Sequence, residues 1–356
     1  MDEPIVVGID IGTTKICTLV ARLEGDVDMR ILGVGIEPAQ GIKKGNVIDI
    51  NAATQSISRS IEKAQRTSGL EIQSALVSLA GSHVSGMNSR GVVGINGGVI
   101  TQADVDRSLE ASMAVAMPHN REVIHVIQRG FTVDGQDGIL SPVNFSGYRL
   151  EAETHIITAA STTVENIRQC VNACNVEVLQ FVLNPLASGE VVLNRSERDM
   201  GVCICDIGGG TSDLAIYING DVWHTNVLPI GGNHITQDIA IGLRISPDQA
   251  EQVKKQYGHA ITSEVGDGEF FTMRTFGEEL PQQINRRELV GIIEARVEEL
   301  FQLLHQEIRR SGYDNLLAAG MVLTGGTSLL PGIRPLAARI LNMPVRVARP
   351  ENLIGL

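Results

Sequence analysis

The sequence predicts an α/β protein of two similar lobes facing one cleft, with an α+β insertion in the first lobe. Three stretches lead to this reading. In Val202-Cys-Ile-Cys-Asp206-Ile-Gly208-Gly209-Gly210-Thr211-Ser-Asp213-Leu-Ala-Ile-Tyr-Ile218, one apolar run enters a triple glycine and another leaves it, the pattern of a hairpin with a glycine turn. Val6-Val-Gly-Ile-Asp10-Ile-Gly12-Thr13-Thr14-Lys15-Ile-Cys-Thr-Leu-Val20 repeats it, with the two aspartates 196 positions apart (206 minus 10). A repeat at that distance indicates two related lobes. The third stretch, Met321-Val-Leu-Thr324-Gly325-Gly326-Thr327-Ser328-Leu-Leu-Pro331-Gly332, is a strand running through two glycines toward a helix near Pro331.

The chemistry of these turns is anion binding. Glycines without Cβ atoms let backbone N–H groups curl around a phosphate, and Thr211 and Ser212 add hydroxyl donors. Lys15 makes the first turn cationic. Asp10 and Asp206, each at the end of an incoming strand, are placed to hold a hydrated Mg²⁺ rather than to touch the anion. The third turn presents bare backbone to a flat base or a ribose. For either hairpin alone, a plain turn in a β meander is the competing reading, and recurrence weighs against it.

In this order, Asp10-Ile-Gly-Thr-Thr-Lys15, Asp206-Ile-Gly-Gly-Gly-Thr211-Ser-Asp213 and Thr324-Gly-Gly-Thr-Ser328 resemble the two phosphate loops and the adenosine loop of the actin, Hsp70 and sugar-kinase superfamily. Within it the chain is most similar to the FtsA family of bacterial cell-division actin homologues, from about Ile5 to about Leu356. The resemblance implies a duplicated actin-like, ribonuclease-H-like fold that binds ATP or ADP with Mg²⁺, the metal held through water on Asp10 and Asp206.

Taken in order, Arg30 to Gly35 reads as a third strand, Ala52 to Thr67 as an amphipathic helix burying Ala53, Ile57, Ile61 and Ala64, and Ser74 to Ala80 as a buried strand. This β-β-β-α-β order completes part of the first lobe, 1–83. Residues 84–160 change texture. They read as a glycine-rich hairpin over Gly91 to Gly98, a helix from Thr101 to about Met117 burying Val105, Leu109, Met113 and Ala116, and strands at Val123 to Ile127 and Phe131 to Val133. Its position resembles that of the FtsA-specific insertion subdomain, read as a packing or partner-binding module.

Residues 161–200 continue the first lobe, with a helix at Thr163 to Cys174, and form the connector. By resemblance this region supplies the group that orients the attacking water. The family usually has Glu just before Pro185, whereas this chain has Asn184, which can hold a water but cannot take its proton. At most a slow ATPase is expected. A helix N-cap is the alternative role for Asn184.

The second lobe spans 201–232, with an upper part at 233–312. Gly231 and Gly232 resemble another glycine loop at the nucleotide, and Ala-Glu251-x-x-Lys254 resembles the helix bordering adenosine, Glu251 accepting from ribose hydroxyls and Lys254 flanking the base. An ordinary i,i+3 salt bridge is the alternative. The long helix from Arg286 to about Ser311 buries Leu289, Ile292, Ile293, Val297, Leu300, Leu304 and Ile308. By resemblance this subdomain receives the tail peptide of the tubulin homologue FtsZ, with Arg287 and Arg296 pairing its carboxylates. A solvated basic face is the bland alternative. Residues 313–356 carry the adenosine loop and return to the first lobe. There the sequence stops without the closing helix and basic amphipathic membrane helix that the family normally carries.

Net charge of −12 argues against a nucleic-acid partner. Met1-Asp-Glu-Pro leads straight into a strand and no apolar run reaches about 18 residues, so the expectation is a cytoplasmic protein without signal peptide or span, peripheral on the membrane at the division site through a missing C-terminal helix. The five cysteines show no Cys-x₂-Cys pair, and core packing is the preferred reading. Head-to-tail self-association would make a filament. Two other functions compete: a pilus-assembly actin homologue that binds ATP and a membrane-protein peptide, and a small-molecule kinase of the same superfamily.

Overall fold

The structure, a computed structural model, describes residues 4–24, 28–350 and 353–355. Met1 to Glu3 and Leu356, where the readings of the two chain ends begin and stop, lie outside the described residues.

Two sheets share one plan. In the first lobe, strand Ile5–Ile11 pairs antiparallel with Lys15–Glu24, which pairs antiparallel with Asp28–Pro38. Ser74–Leu79 and then Glu177–Leu183 add in parallel on the other side of the first strand. In the second lobe Val202–Ile207, Ser212–Ile218 and Asp221–Leu228 form the same meander, with Gly320–Thr324 and Val345–Val347 added in parallel. The repeat read from two turns therefore extends to strand order. Leu353–Ile354 returns to the first sheet beside Met29 and Arg30.

Each sheet is covered by helices whose apolar stripes match the sequence pattern. Helix Ile50–Ser68 starts where Asp49 accepts from the Ala52 N–H, ends at left-handed Gly69, and buries Ala53, Ile57, Ile61 and Ala64. The 26-residue helix Arg286–Ser311 runs from an Asn285 cap to left-handed Gly312. It buries Leu289, Ile293, Val297, Leu300, Leu304 and Ile308 in the largest core cluster, while Ile292 is only half-buried. Cys203 and Cys205 are fully buried in that cluster and Cys170 in the first-lobe core.

The insertion corrects three expectations. Gly91 to Gly98 is not a hairpin, because strand Ser85–Gly94 pairs along its length with the distant strand Arg149–Ala160. Val123 to Ile127 and Phe131 to Val133 are parts of one strand, Arg121–Val133, which flanks Arg149–Ala160 on its other side. The helix runs over Gln102–Met113, with Thr101 and Asp104 closing a capping box, and stops ahead of Pro118. Met113 and Ala116 are exposed. The helix sits on the sheet through a small hydroxyl face instead: Ser108 and Ser112 are buried, and the Ser89 hydroxyl donates to the Ser112 carbonyl at 2.6 Å.

Candidate functional site

The two glycine turns close with the same bond: Gly12 N–H donates to the Lys15 carbonyl at 3.1 Å, and Gly208 N–H to the Thr211 carbonyl at 2.9 Å. Each turn delivers its aspartate against a serine. Asp10 Oδ1 accepts from Ser78 Oγ at 2.8 Å, and Asp206 Oδ2 from Ser188 Oγ at 2.7 Å. The turns also meet. A Cβ built on Gly209 would lie 2.0 Å from Thr14 Oγ1, and one on Gly210 would lie 2.6 Å from Thr13 Oγ1.

Between them lies a cavity of about 720 Å³, inside the usual range for ligand pockets. It is lined by Asp10, Gly12, Thr13, Thr14, Lys15, Asn184, Asp206, Gly208, Gly209, Gly210, Thr211, Gly232, Glu251, Lys254, Gly325, Gly326 and Thr327. Gly231 and Ser328 stand behind the wall. Gly231 N–H donates to His234 Nδ1, and Ser328 Oγ donates to the Gly325 carbonyl at 2.7 Å. The third glycine loop is tied to the second: Thr327 Oγ1 donates to the Gly208 carbonyl at 3.0 Å, as does Gly232 N–H at 2.9 Å.

Glu251 and Lys254 form the anticipated pair at 2.6 Å, and both also bind Thr236 Oγ1. Lys254 further donates to the Gly232 carbonyl, which anchors the ion pair to the loop rather than leaving it on the surface. Burial pushes the Lys254 ammonium below its ordinary range, against Glu251. Asn184 is the first residue of helix Asn184–Val192, not its cap, which is Leu183. Its Oδ1 is buried without a hydrogen-bond partner while the residue lines the cavity.

Sequence reasoning passed over Ser78, Ser188 and, above all, Asp213. That carboxyl is 2 % exposed, faces Asp206 across the hairpin, accepts from Thr211 Oγ1 at 2.9 Å, and leaves Oδ1 unpartnered. Burial pushes Asp213 well above the ordinary carboxylate range, and neighbouring Asp206 pushes the same way. Burial also raises Asp10 and Asp206, against their serine hydrogen bonds and the charge of Lys15. The strand alternation that points Asp206 into the cleft also marks Asp213, its register partner. No local signal marks the two serines, which arrive from separate elements.

The two long-helix arginines assigned to peptide binding are far from free. Arg287 pairs with Asp267, and Arg296 pairs with Asp238 and Glu299. The solvated basic face weighed for them is instead an ion-paired one.

Residues 203–355 match the family model for cell division protein FtsA, and residues 81–158 match the model for the SHS2 domain inserted in FtsA. Cell division protein FtsA of Pseudomonas aeruginosa is 42 % identical over 351 residues, covering 99 % of this chain and 84 % of that protein. Its Bacillus subtilis counterpart is 38 % identical, covering 99 % and 80 %. Among solved structures, the PilM–PilN type IV pilus biogenesis complex superposes with a TM-score of 0.67 at 16 % identity, covering 99 % of this chain and 90 % of that one. MreB5 of Spiroplasma citri bound to ADP gives 0.56 at 16 % identity, covering 98 % and 92 %. At such identities these structures establish the fold, which is actin-like. With the glycine turns, the shared sheet plan and relatives alike over nearly the whole chain, this protein belongs to the FtsA family of cell-division proteins.

Proposed function

We propose that the chain binds ATP or ADP with Mg²⁺ between its lobes and acts in division as a nucleotide-dependent assembly protein. One observation carries this reading: two turns of the same build, from two sheets of the same plan, line a single cavity with their aspartates and backbone amides. Thr13 and Thr14 with Lys15 would hold phosphate from one side, and Gly208 to Thr211 from the other. Gly325 to Thr327, Glu251 and Lys254 would hold the nucleoside, with Gly231 and Ser328 bracing that end. MreB5 of the same fold has been solved with ADP and with AMPPNP, which supports the nucleotide class.

The donor set suits a hydrated Mg²⁺. Among the described residues no group of three or more His, Cys, Asp or Glu is arranged to hold a metal directly. Mg²⁺ keeps several waters and takes one or two carboxylates plus phosphate oxygens. Asp10 and Asp206 would hold it through those waters. Bound there, the cation would offset the phosphate charge and favour the ionised carboxyls that burial now disfavours. Asn184 Oδ1 is a ready acceptor for a water in the cavity, and its amide cannot serve as a base, so any hydrolysis should be slow.

Family membership supports assembly and recruitment as the roles of the bound state. Head-to-tail contacts would give an open filament, and the MamK double helical filament, at a TM-score of 0.54, supports that use of the fold. The FtsZ tail peptide would bind the upper second lobe near Arg287 and Arg296, competing with Asp267, Asp238 and Glu299 for their guanidinium groups. Attachment to the cytoplasmic face of the membrane would use a basic amphipathic helix lying on it; no helix among the described residues is long and apolar enough to cross a membrane.

Equilibrium dialysis with labelled ATP, with and without Mg²⁺, tests the site: Asp10→Asn and Asp206→Asn should each weaken Mg²⁺-dependent binding by about tenfold or more, the loss of roughly one charge-assisted contact. Unchanged binding in both would remove the reading. Sedimentation with ATP and synthetic FtsZ tail peptide tests the rest. Pelleting without peptide co-sedimentation would leave assembly and discard the FtsZ role.

A further inference from the structure

The insertion's sheet packs on the edge strand Asp221–Leu228 of the second lobe, and both sheets are irregular where they meet. In the insertion, Glu153 pairs with Gly130 and Thr154 with Gln128, so Arg129 is the extra, bulged residue. In the second lobe, Ile216 pairs with His224 and Tyr217 with Val222, so Trp223 is bulged in the same way. Bulges re-aim side chains. These two aim at each other: the Arg129 guanidinium lies 4.0 Å from the Trp223 ring centroid, and the ring also meets Tyr313 edge-on at 5.5 Å.

A polar chain runs beside them. Asn88 Nδ2 donates to the Trp223 carbonyl at 3.3 Å and to the Tyr313 hydroxyl at 3.1 Å. His155 Nδ1 lies 2.6 Å from Asn88 Oδ1, which can only accept, so that nitrogen carries the proton and Nε2 accepts from Thr225 Oγ1 at 2.9 Å. His155 and Thr225 are buried while Asn88 is exposed, so only the inner end of the chain is dry, and there the satisfied hydrogen bonds hold one geometry.

The strand bearing Trp223 and Thr225 runs on to the loop at the cavity, where Gly232 N–H donates to the Gly208 carbonyl and Asn233 N–H to the Gly209 carbonyl at 2.7 Å. One rigid element thus ends in the phosphate-side loop and carries the insertion along its edge. We propose that this junction couples nucleotide occupancy to the seating of the insertion, so that the insertion presents a different surface when the cavity is filled. The proposal rests on the nucleotide reading. Coupling of this kind is reciprocal: whatever nucleotide does to the junction, breaking the junction does to nucleotide affinity, typically by about 5-fold or more.

Trp223 is the chain's single tryptophan, so its emission reports the junction without labelling. Mg²⁺·ATP should change the emission and its quenching by acrylamide in the wild-type chain. Asn88→Ala should abolish that response and shift ATP affinity in dialysis by about 5-fold. Arg129→Gln is the second variant, should the first fail to fold. ATP bound in dialysis with emission unchanged overturns the coupling and leaves the nucleotide site standing. A response that survives in the folded variant at unaltered affinity overturns it too, since the signal then arises elsewhere. No ATP bound at all removes the nucleotide reading and the coupling together.

Discussion

The two glycine turns hold equivalent places in sheets of equal strand order, close with the same bond, and present their aspartates alike, yet they differ where they touch. Thr13 and Thr14 occupy the positions that Gly209 and Gly210 hold in the other lobe, and the contacts cross: Thr14 meets Gly209 and Thr13 meets Gly210. Two turns meeting this closely cannot both carry side chains. One lobe keeps the hydroxyls and the other gives up its Cβ atoms. Duplication therefore explains the backbone, and proximity explains the asymmetry. The same logic separates Lys15 from Thr211 and Cys17 from Asp213. Strand Ser212–Ile218 is buried at every residue, whereas Lys15–Glu24 keeps an exposed side.

The largest effect should come from breaking that asymmetry. Gly209→Val drives branched atoms into Thr14, and overpacking of this kind costs about 1–3 kcal/mol when neighbours must shift. Because the strain falls on both phosphate turns, ATP binding in dialysis should drop by at least about tenfold, a loss of roughly 1.4 kcal/mol. Gly209→Ala paired with Thr14→Gly moves the side chain from one lobe to the other and should recover most of what Gly209→Ala alone loses. A double-variant cycle with a coupling energy near zero would show that the turns do not meet in solution.

How much of this was readable beforehand follows from how local each signal is. A glycine turn between apolar runs is encoded within about ten residues, so both hairpins, the third loop and the long helix were legible. The pairing of Ser85–Gly94 was not, because its partner lies beyond a helix and two further strands, and Gly97 and Gly98 look locally like a hairpin turn. The bulges at Arg129 and Trp223 have no local signature either. Ser78 and Ser188 were missed because a serine in a strand or helix becomes a carboxylate's donor only when folding brings the two together. Arg287 and Arg296 lie legibly off the apolar stripe, but two of the carboxylates that claim them, Asp267 and Asp238, come from elsewhere in the upper lobe.

A smaller effect distinguishes Asp213 from its counterpart Cys17. Burial holds the Asp213 carboxyl well above the ordinary carboxylate range. The folded chain thus binds this proton more tightly than the unfolded chain does. The stability this contributes is complete below the unfolded value and is lost as pH rises through the folded one. At pH 8 the nucleotide-free wild type should therefore bear a cost that Asp213→Asn lacks. The variant should melt about 2–4 °C higher there, the shift that roughly 1 kcal/mol gives in a domain of 150–250 residues, with the difference shrinking as pH falls. Added Mg²⁺·ATP should stabilise the variant less than the wild type. A variant that melts lower than wild type at pH 8 would mean that Asp213 is ionised and satisfied in the folded chain.

The smallest effect tests the sheets rather than the turns. Leu19 and Ala215 hold equivalent positions on the second strand of each sheet, the one 37 % exposed and the other fully buried. In the first lobe this face is only partly covered, so Leu19→Thr places a β-branched residue, well suited to a strand, there and removes little buried area. It should change stability by no more than about 0.5 kcal/mol, as surface substitutions usually do. In the second lobe the equivalent face packs in the cluster of Val192, Val202, Ile204, Tyr217 and Val322. Ala215→Thr there adds a hydroxyl and a methyl group to a filled, apolar site and should lower the urea midpoint clearly, with the slope unchanged. If Leu19→Thr cost as much as Ala215→Thr, the outer face of the first sheet would have to be covered in solution. The contrast between a half-clothed lobe and a fully clothed one would then fail, although the turns would still match.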